Sequence, residues 1–303
     1  MPAIKHARTA TSSPSEDPAK VGSSDWNASH VIEDGAIALS KLVLSGDTTK
    51  FVRADGTEAV PGGVDVQPLI GTKSIALWTP VPNGNTMQTQ GITVALAGTA
   101  TPRAPATTNL FTSARRIGYV SAAGAGNVCG LRFATPYLWR GNAAGLGGFS
   151  GIWRWGTSDT ALVGTGRGVV GLWSGTAIPP GDVVPDTLTN IIGVGNNNGD
   201  ANLQLYAAGA VAQARIDLGV NFPAQTTSTD LYELRLWCDA NAASVNYKVT
   251  RLNTGHIAEG TISAAENLPS NTTFLGPVFH RSNGGTAAAV AIDIGGLYLE
   301  TDT

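Results

Sequence analysis

The sequence has few charged residues. Asp, Glu, Lys and Arg make up 14% of its 303 residues, against about 25% in ordinary globular proteins. Helical surfaces are built largely from Glu, Lys and Arg, so this scarcity leaves little material for long helices. The 38 glycines and 16 prolines, together with abundant Thr, Ser and Asn, suit short strands joined by tight turns. The composition therefore predicts an all-β protein.

Other absences exclude whole classes of function. The net charge is −3 and the Lys and Arg residues are scattered, so no basic stripe would neutralise a phosphate backbone, and nucleic-acid binding is not expected. No segment reaches the roughly 18 uncharged apolar residues that a membrane span needs. The N-terminal residues also lack the apolar core of a secretory signal. We therefore expect a protein that is made in a cytoplasm and has no membrane span.

Cysteine is nearly absent. Cys129 and Cys238 are the two cysteines of the sequence, and both lie in strand-like runs, where buried free thiols are common. If their strands face each other, a disulfide between them remains an alternative, although a cytoplasmic origin disfavours it. Neither has a His or a second Cys close in sequence, so we predict no metal site, no cofactor and no catalytic thiol.

The pattern of the chain changes twice. We predict an N-terminal arm over residues 1–63, a linker over 64–71 after Pro61-Gly-Gly63, and a β body over 72–303. In the body, Leu234 and Leu236 alternate with Glu233 and Arg235, which is typical of a half-buried strand. The predicted strands are 74–79, 91–97, 115–120, 128–134, 148–155, 168–173, 190–194, 202–207, 230–238, 244–252, 255–263 and 287–300.

Short strands separated by turns predict an antiparallel two-sheet sandwich of the jelly-roll or lectin-like kind. The sequence shows no fixed-period repeat, which argues against a β-helix or a propeller.

Two motifs lie in the arm. The first is Val21-Gly-Ser-Ser-Asp-Trp-Asn-Ala-Ser-His-Val-Ile32, and the second begins Gly46-Asp-Thr-Thr-Lys-Phe-Val-Arg-Ala-Asp-Gly-Thr57. In this order they resemble the N-terminal segments of phage tail-fibre and related virion proteins, except that Glu58 replaces the usual aromatic residue. The resemblance implies a virion component, commonly a homotrimer, whose N-terminal part docks onto the particle. Its implied attachment or oligomerisation residues are Trp26, Asn27, His30, Phe51, Arg53 and Asp55.

The second motif also has a local physical interpretation. Asp55-Gly56 is a strong turn signal between two short apolar runs and predicts a hairpin. A hairpin of this size is marginally stable alone and needs partners, which other virion proteins or copies of the chain would supply. The alternative is a loosely ordered tether for the body.

Aromatic and arginine residues are interleaved in the middle of the body. Trp139, Arg140, Trp153, Trp155 and Trp173 could form a face that binds host-surface glycan, with indoles stacking on sugar rings. The alternative is that Trp153 and Trp155, two residues apart, fill the core of the sandwich.

Two further patterns could carry chemistry. Alternate oxygen-bearing side chains from Asn196 to Asn202 could ligate Ca²⁺, but the same residues suit a hairpin turn, and we predict no metal. Gly164-Thr-Gly-Arg-Gly168 lacks the remainder of a phosphate-binding loop, so it predicts a strand connection.

No catalytic arrangement stands out from the sequence. A glycosidase pair could come from Asp159, Asp182, Asp186, Asp217, Glu233 and Glu259, but sequence cannot show two of them converging in a cleft. We therefore predict a non-enzymatic fibre or decoration subunit of a phage virion, assembled in the host cytoplasm, whose displayed β body either binds the host surface or extends and stabilises the particle. The alternatives are a polysaccharide-degrading tailspike and a glycan-binding lectin.

Overall fold

The structure is a computed structural model that describes residues 51–52, 58–59, 73–78, 94–181, 183–212 and 215–302. The chain divides into two units, Met1–Val66 and Gln67–Thr303. In the first unit, β1 (Phe51–Val52) pairs with β2 (Glu58–Ala59) in antiparallel register, with Phe51 opposite Ala59. These two strands flank the predicted Asp55-Gly56 turn, and their register is centred on residue 55. The turn itself lies outside the described residues, as do Trp26, Asn27, His30, Arg53 and Asp55.

The second unit contains two antiparallel sheets. The order in the seven-stranded sheet is β12 (Ile216–Asp217), β11 (Gln204–Ala208), β10 (Ile191–Asn196), β9 (Arg167–Trp173), β16 (Gly276–Ser282), β7 (Val128–Phe133) and β4 (Val94–Ala97). The order in the eight-stranded sheet is β15 (His256–Ile262), β14 (Val245–Arg251), β13 (Tyr232–Cys238), β8 (Phe149–Thr157), β17 (Ala291–Asp302), β6 (Ile117–Val120) and β5 (Thr99–Pro102), and β3 (Lys73–Trp78) pairs with the second half of β17.

Helix is confined to three short segments of the described chain. The single α-helical turn is α1 (Leu110–Ser113), which Asn109 caps by accepting a hydrogen bond from the Thr112 N–H. Two 3₁₀ turns span Pro185–Thr187 and Ala265–Asn267. None of the described helices is long and apolar enough to cross a membrane.

The two sheets pack face to face around one apolar core. Its members include Leu131, Val170 and Phe279 from the seven-stranded sheet and Trp153, Leu234 and Ile294 from the eight-stranded sheet. The prediction of an all-β antiparallel sandwich is therefore confirmed, and each predicted body strand overlaps a strand of the structure. Strands β5 and β12 and the central strand β16 were not predicted from the sequence.

A buried ion pair joins the two sheets. Arg281 lies on β16 of the seven-stranded sheet, and its guanidinium donates two hydrogen bonds to Asp159, which follows β8 of the other sheet. The Asp159 carboxylate also accepts a hydrogen bond from the Ala291 N–H at 2.6 Å. Both side chains are almost fully excluded from solvent. The pair therefore ties three strand ends together inside the sandwich.

The outer faces of the two sheets differ. On the seven-stranded sheet, the connection between β9 and β10 lies across the outer face, where Leu188 packs with Val169, Ile191 and Tyr206. This cover leaves His280 buried. The outer face of the eight-stranded sheet instead exposes several large side chains, described below.

Candidate functional site

Trp153 and Trp155 do not form a binding face. Both lie on β8 and point into the core, where Trp153 is fully buried and Trp155 packs against Tyr232 with ring centroids 5.7 Å apart. Because neither indole reaches solvent, neither can stack on a sugar ring. The prediction that they belong to a glycan site is corrected, and the alternative that they fill the core is confirmed.

Arg140 is a clamp between loops rather than a ligand-binding group. Its buried guanidinium donates to the Pro269 carbonyl oxygen at 3.2 and 2.8 Å and to the Ala242 carbonyl oxygen at 2.7 Å. These bonds fasten the β7–β8 loop to the β13–β14 and β15–β16 loops. Next to it, Gly141 has a φ of +89°, and a Cβ there would lie 1.6 Å from the Leu146 carbonyl oxygen. Glycine is therefore required at this close approach of two backbone segments.

Trp173 lies apart from the other predicted residues, at the end of β9 on the seven-stranded sheet. It is half-buried, and the Arg132 guanidinium carbon lies 5.6 Å from its ring centroid. Arg132 also donates to the Trp173 carbonyl oxygen at 3.1 Å. One face of this indole is therefore occupied by the protein's own cation.

Trp139 is half-buried and lies beside a more exposed aromatic residue. It packs against Phe274 with ring centroids 5.4 Å apart and planes tilted by 31°, and Phe274 is 51% exposed. A β-bridge between Leu138 and Leu275, the neighbouring residues, sets the two rings side by side. We call Trp139 and Phe274 the aromatic platform.

Polar residues precede Phe274 directly in the chain. The Asn271 carbonyl oxygen accepts from the Gly141 N–H at 3.0 Å, while the Ser270 and Thr272 hydroxyl groups are exposed and lie 3.1 Å apart. An aromatic surface with adjacent hydroxyl and amide groups suits a sugar, which has apolar C–H faces and polar edges. Sequence reasoning missed Phe274, whose only signal is a single aromatic residue in the polar run Asn271-Thr-Thr-Phe274.

A separate groove of about 200 Å³ opens between the two sheets at the side of β11 and β14. Its apolar wall includes Leu205, Ile216 and Ile262, and its polar groups include Tyr247 and Asn267. The volume is below the roughly 300–1,000 Å³ of drug-sized ligand pockets. The groove therefore has room for one small group and not for an oligosaccharide.

The candidate catalytic carboxylates that the structure describes are each engaged. Asp159 pairs with Arg281, Asp186 with Arg215 at 3.3 Å and Glu259 with Lys248 at 3.4 Å. Asp217 accepts hydrogen bonds from Asn202 and from the Gly219 N–H, and the latter chiefly holds the pKa of Asp217 below its usual range. Asp182 lies outside the described residues. Each carboxylate of this set that the structure describes is therefore occupied by a hydrogen bond or an ion pair, as Glu233 also is.

The asparagine-rich segment is a hairpin connection between β10 and β11. Asn196 donates to the Gly166 carbonyl oxygen at 2.8 Å, and Asp200 accepts from the Asn197 N–H at 2.7 Å while pairing with Arg215 at 3.0 Å. These oxygen atoms serve the turn and its neighbours. Among the described residues no group of three His, Cys, Asp or Glu side chains could hold a metal ion.

The positions of the glycine-rich segment and of the two cysteines bear on two further predictions. Gly164–Gly168 runs into β9 and is a strand connection, as predicted. Cys129 and Cys238 lie in different sheets, and both are buried free thiols. Burial raises the pKa of Cys129 to about 12 and that of Cys238 to about 11.

No protein-family model and no curated protein matches the chain. Among solved structures, a protein of unknown function from Shewanella oneidensis has a TM-score of 0.50 at 13% identity, over 77% of this chain and 87% of that one. Arcelin-5, a lectin-like defense protein from Phaseolus vulgaris, has a TM-score of 0.49 at 8% identity, over 76% and 98%. Peanut lectin has a TM-score of 0.48 at 12% identity, over 76% and 97%. At these identities the likeness concerns the fold alone.

Proposed function

We propose that this chain is a structural and adhesive subunit of a bacteriophage virion. Its N-terminal region docks onto the particle as a homotrimer, and its sandwich is displayed toward the host surface. The observation that carries the proposal is the pair of ordered motifs in residues 21–61, the second of which contains the β1–β2 pairing. A two-stranded ribbon of this size needs partners to be stable, and docking supplies them.

A role without catalysis is supported by the charges of the body. Its buried carboxylates Asp159, Asp230, Glu233 and Asp293 each form an ion pair with at least one arginine. A carboxylate paired in this way is buried and engaged in holding the sandwich together, so it is not presented to a ligand. The arrangement therefore favours display and adhesion over the degradation of polysaccharide.

The docking role is tested in the full chain with particles that lack this protein. We expect wild-type protein to be trimeric by light scattering and to decorate the particles. Trp26→Ala and Phe51→Ala should abolish decoration, because both remove apolar side chains of the motifs, while Trp139→Ala should decorate normally. Decoration by all three variants, or by none of the proteins including wild type, would refute the docking proposal.

Glycan binding at the aromatic platform is a second candidate function, favoured by the packing of half-buried Trp139 against exposed Phe274. Loss of stacking on one aromatic ring should weaken binding of a host-surface polysaccharide by about tenfold. We expect this loss for Trp139→Ala in isothermal titration and no loss for Trp173→Phe, which keeps an aromatic ring beside Arg132. Release of reducing ends from the polysaccharide would instead indicate the tailspike alternative.

A further inference from the structure

The outer face of the eight-stranded sheet carries a group of charged and aromatic side chains that is separate from the aromatic platform. Glu233, Arg235 and Trp237 alternate with core residues along β13, so they share its outer face. Arg154 on β8 lies directly opposite Glu233. The Trp237 side chain is 39% exposed, which is high for an indole in the middle of a sheet.

One buried carboxylate holds two arginines. Arg154 Nε donates to Glu233 Oε2 and Arg235 Nε donates to Glu233 Oε1, both at 2.7 Å. The Glu233 side chain is 4% exposed, whereas those of Arg154 and Arg235 are 51% and 50% exposed. Burial alone would raise the pKa of Glu233, but the hydrogen bonds from Arg235 and Arg154 outweigh it and lower that pKa. The carboxylate is therefore ionised, and the group carries a net charge of about +1.

The outward edges of the two guanidinium groups are unused. Each arginine spends its Nε–H on Glu233, and within the described part of the chain no hydrogen bond engages the terminal Nη groups of either. A guanidinium presents its donors as a rigid fork that matches an oxyanion. Because Glu233 already fixes both side chains, a ligand that binds them loses less side-chain entropy than it would on free arginines.

The strand beside Arg154 leaves space for a side chain on the same face. Gly296 of β17 lies opposite Arg154 on the side away from Glu233, at a register shift in the strand. A Cβ at Gly296 would meet only the Trp78 carbonyl oxygen, at 3.7 Å. On the other side, Thr250 and Asn246 of β14 lie opposite Glu233 and Trp237, which adds a hydroxyl and an amide to the same face.

We propose that Arg154, Arg235 and Trp237 form a binding site for an acidic sugar unit of a glycan, whose carboxylate or sulfate accepts from the free Nη groups while its ring packs against the indole. The arginines then match the negative charge of such a sugar, and the indole matches its C–H face. The neutral polar groups match its hydroxyl groups. The site is distinct from the aromatic platform, and it does not depend on docking to a particle.

The test measures binding of the full chain to oligogalacturonate, dextran sulfate and neutral dextran by isothermal titration at physiological salt. The first two probes distinguish a carboxylate from a sulfate as the bound oxyanion. We expect wild-type protein to bind at least one of them about tenfold more tightly than dextran. Binding of dextran as tightly as both acidic probes, or no binding of any probe, would overturn the proposal.

Variants at two positions test the arginine pair while keeping a cation beside Glu233. Gly296→Glu places a carboxylate opposite Arg154 to compete with the ligand, and we expect it to weaken binding of the acidic probe by about tenfold. Gly296→Gln is the uncharged control of equal size, which should bind several-fold more tightly than the Glu variant. Arg235→Lys keeps the charge but loses the fork, so it should also weaken binding.

Lys248→Gln is the control for general attraction, since Lys248 lies opposite Arg235 on β14 but pairs with Glu259. It should bind nearly as wild type does, and Trp139→Ala should too. If Lys248→Gln and Arg235→Lys weaken binding of the acidic probe equally, the attraction is diffuse and the proposal is refuted. Loss in Trp139→Ala with no loss in Gly296→Glu would also overturn it, while leaving the aromatic platform as the glycan site.

Discussion

Removing one charge of the Asp159–Arg281 pair should destabilise the sandwich severely. In Asp159→Ala the guanidinium of Arg281 stays in the core without its anion, and the Ala291 N–H loses its acceptor. Breaking a buried ion pair in this way costs about 3–5 kcal/mol. For a domain of this size each kcal/mol lowers the melting temperature by about 2–4 °C. We therefore expect Tm to fall by about 6–20 °C.

The assay is thermal and urea unfolding of Asp159→Ala, Arg281→Met and the double variant. Because the double variant leaves no unpaired charge, its loss of stability should be clearly smaller than the sum of the two single losses. Arg215→Ala is the matched control, since its side chain is one-third exposed and exposed pairs are worth about 0–1 kcal/mol. If Asp159→Ala costs less than about 1 kcal/mol, or if the double variant is additive, the pair does not tie the sheets as described.

Two further predictions follow from buried groups. Burial, together with the charges of Arg281 and Arg167, lowers the pKa of His280 from its usual 6.5 to about 4. The unfolded chain therefore binds a proton between these values that the native chain does not, so stability should fall by about 3 kcal/mol as the pH drops from 7 to 4. Urea titrations across that range should show a shallower fall in His280→Leu, and equal slopes would contradict the burial of a neutral imidazole. The raised pKa values of Cys129 and Cys238 predict that a thiol reagent at pH 8 modifies neither in native protein and both in guanidinium chloride; rapid reaction of either native thiol would show that its strand opens.

Strands with simple alternation could be predicted, and β16 could not. Along β13 and β14 the inward and outward residues differ in polarity, so period two is visible in the sequence. Strand β16 is buried throughout although it contains Pro277, His280 and Arg281. The proline is tolerated because pairing with β7 begins only at Val278. Arg281 is tolerated because of Asp159, a partner 122 residues away that no local pattern reveals.

The candidate sites could not be assembled from the sequence for the same reason, because their residues meet only through long-range pairing. Spacing alone places Trp153 and Trp155 on one face of β8 but does not decide which face is the core. The deciding fact is the pairing register, which sets Trp153 opposite Leu234 and Trp155 opposite Tyr232. Similarly, Trp139 and Phe274 are neighbours only because a bridge joins loops that are distant in sequence. Side chains gathered from separate strands become visible only when the register is known.

The register of β8 against β13 also determines what the outer face can bind. A slip of one residue would exchange inward and outward side chains along a strand, bringing Arg154 into the core and Trp153 into solvent. Burying an unpaired arginine and exposing the indole are both unfavourable, so packing of Trp153 on Leu234 excludes the slip. The same register sets Arg154 opposite Glu233. The arrangement of the arginine pair is therefore a consequence of core packing, and variants that loosen the core at Trp153 should impair binding on the opposite face of the sheet.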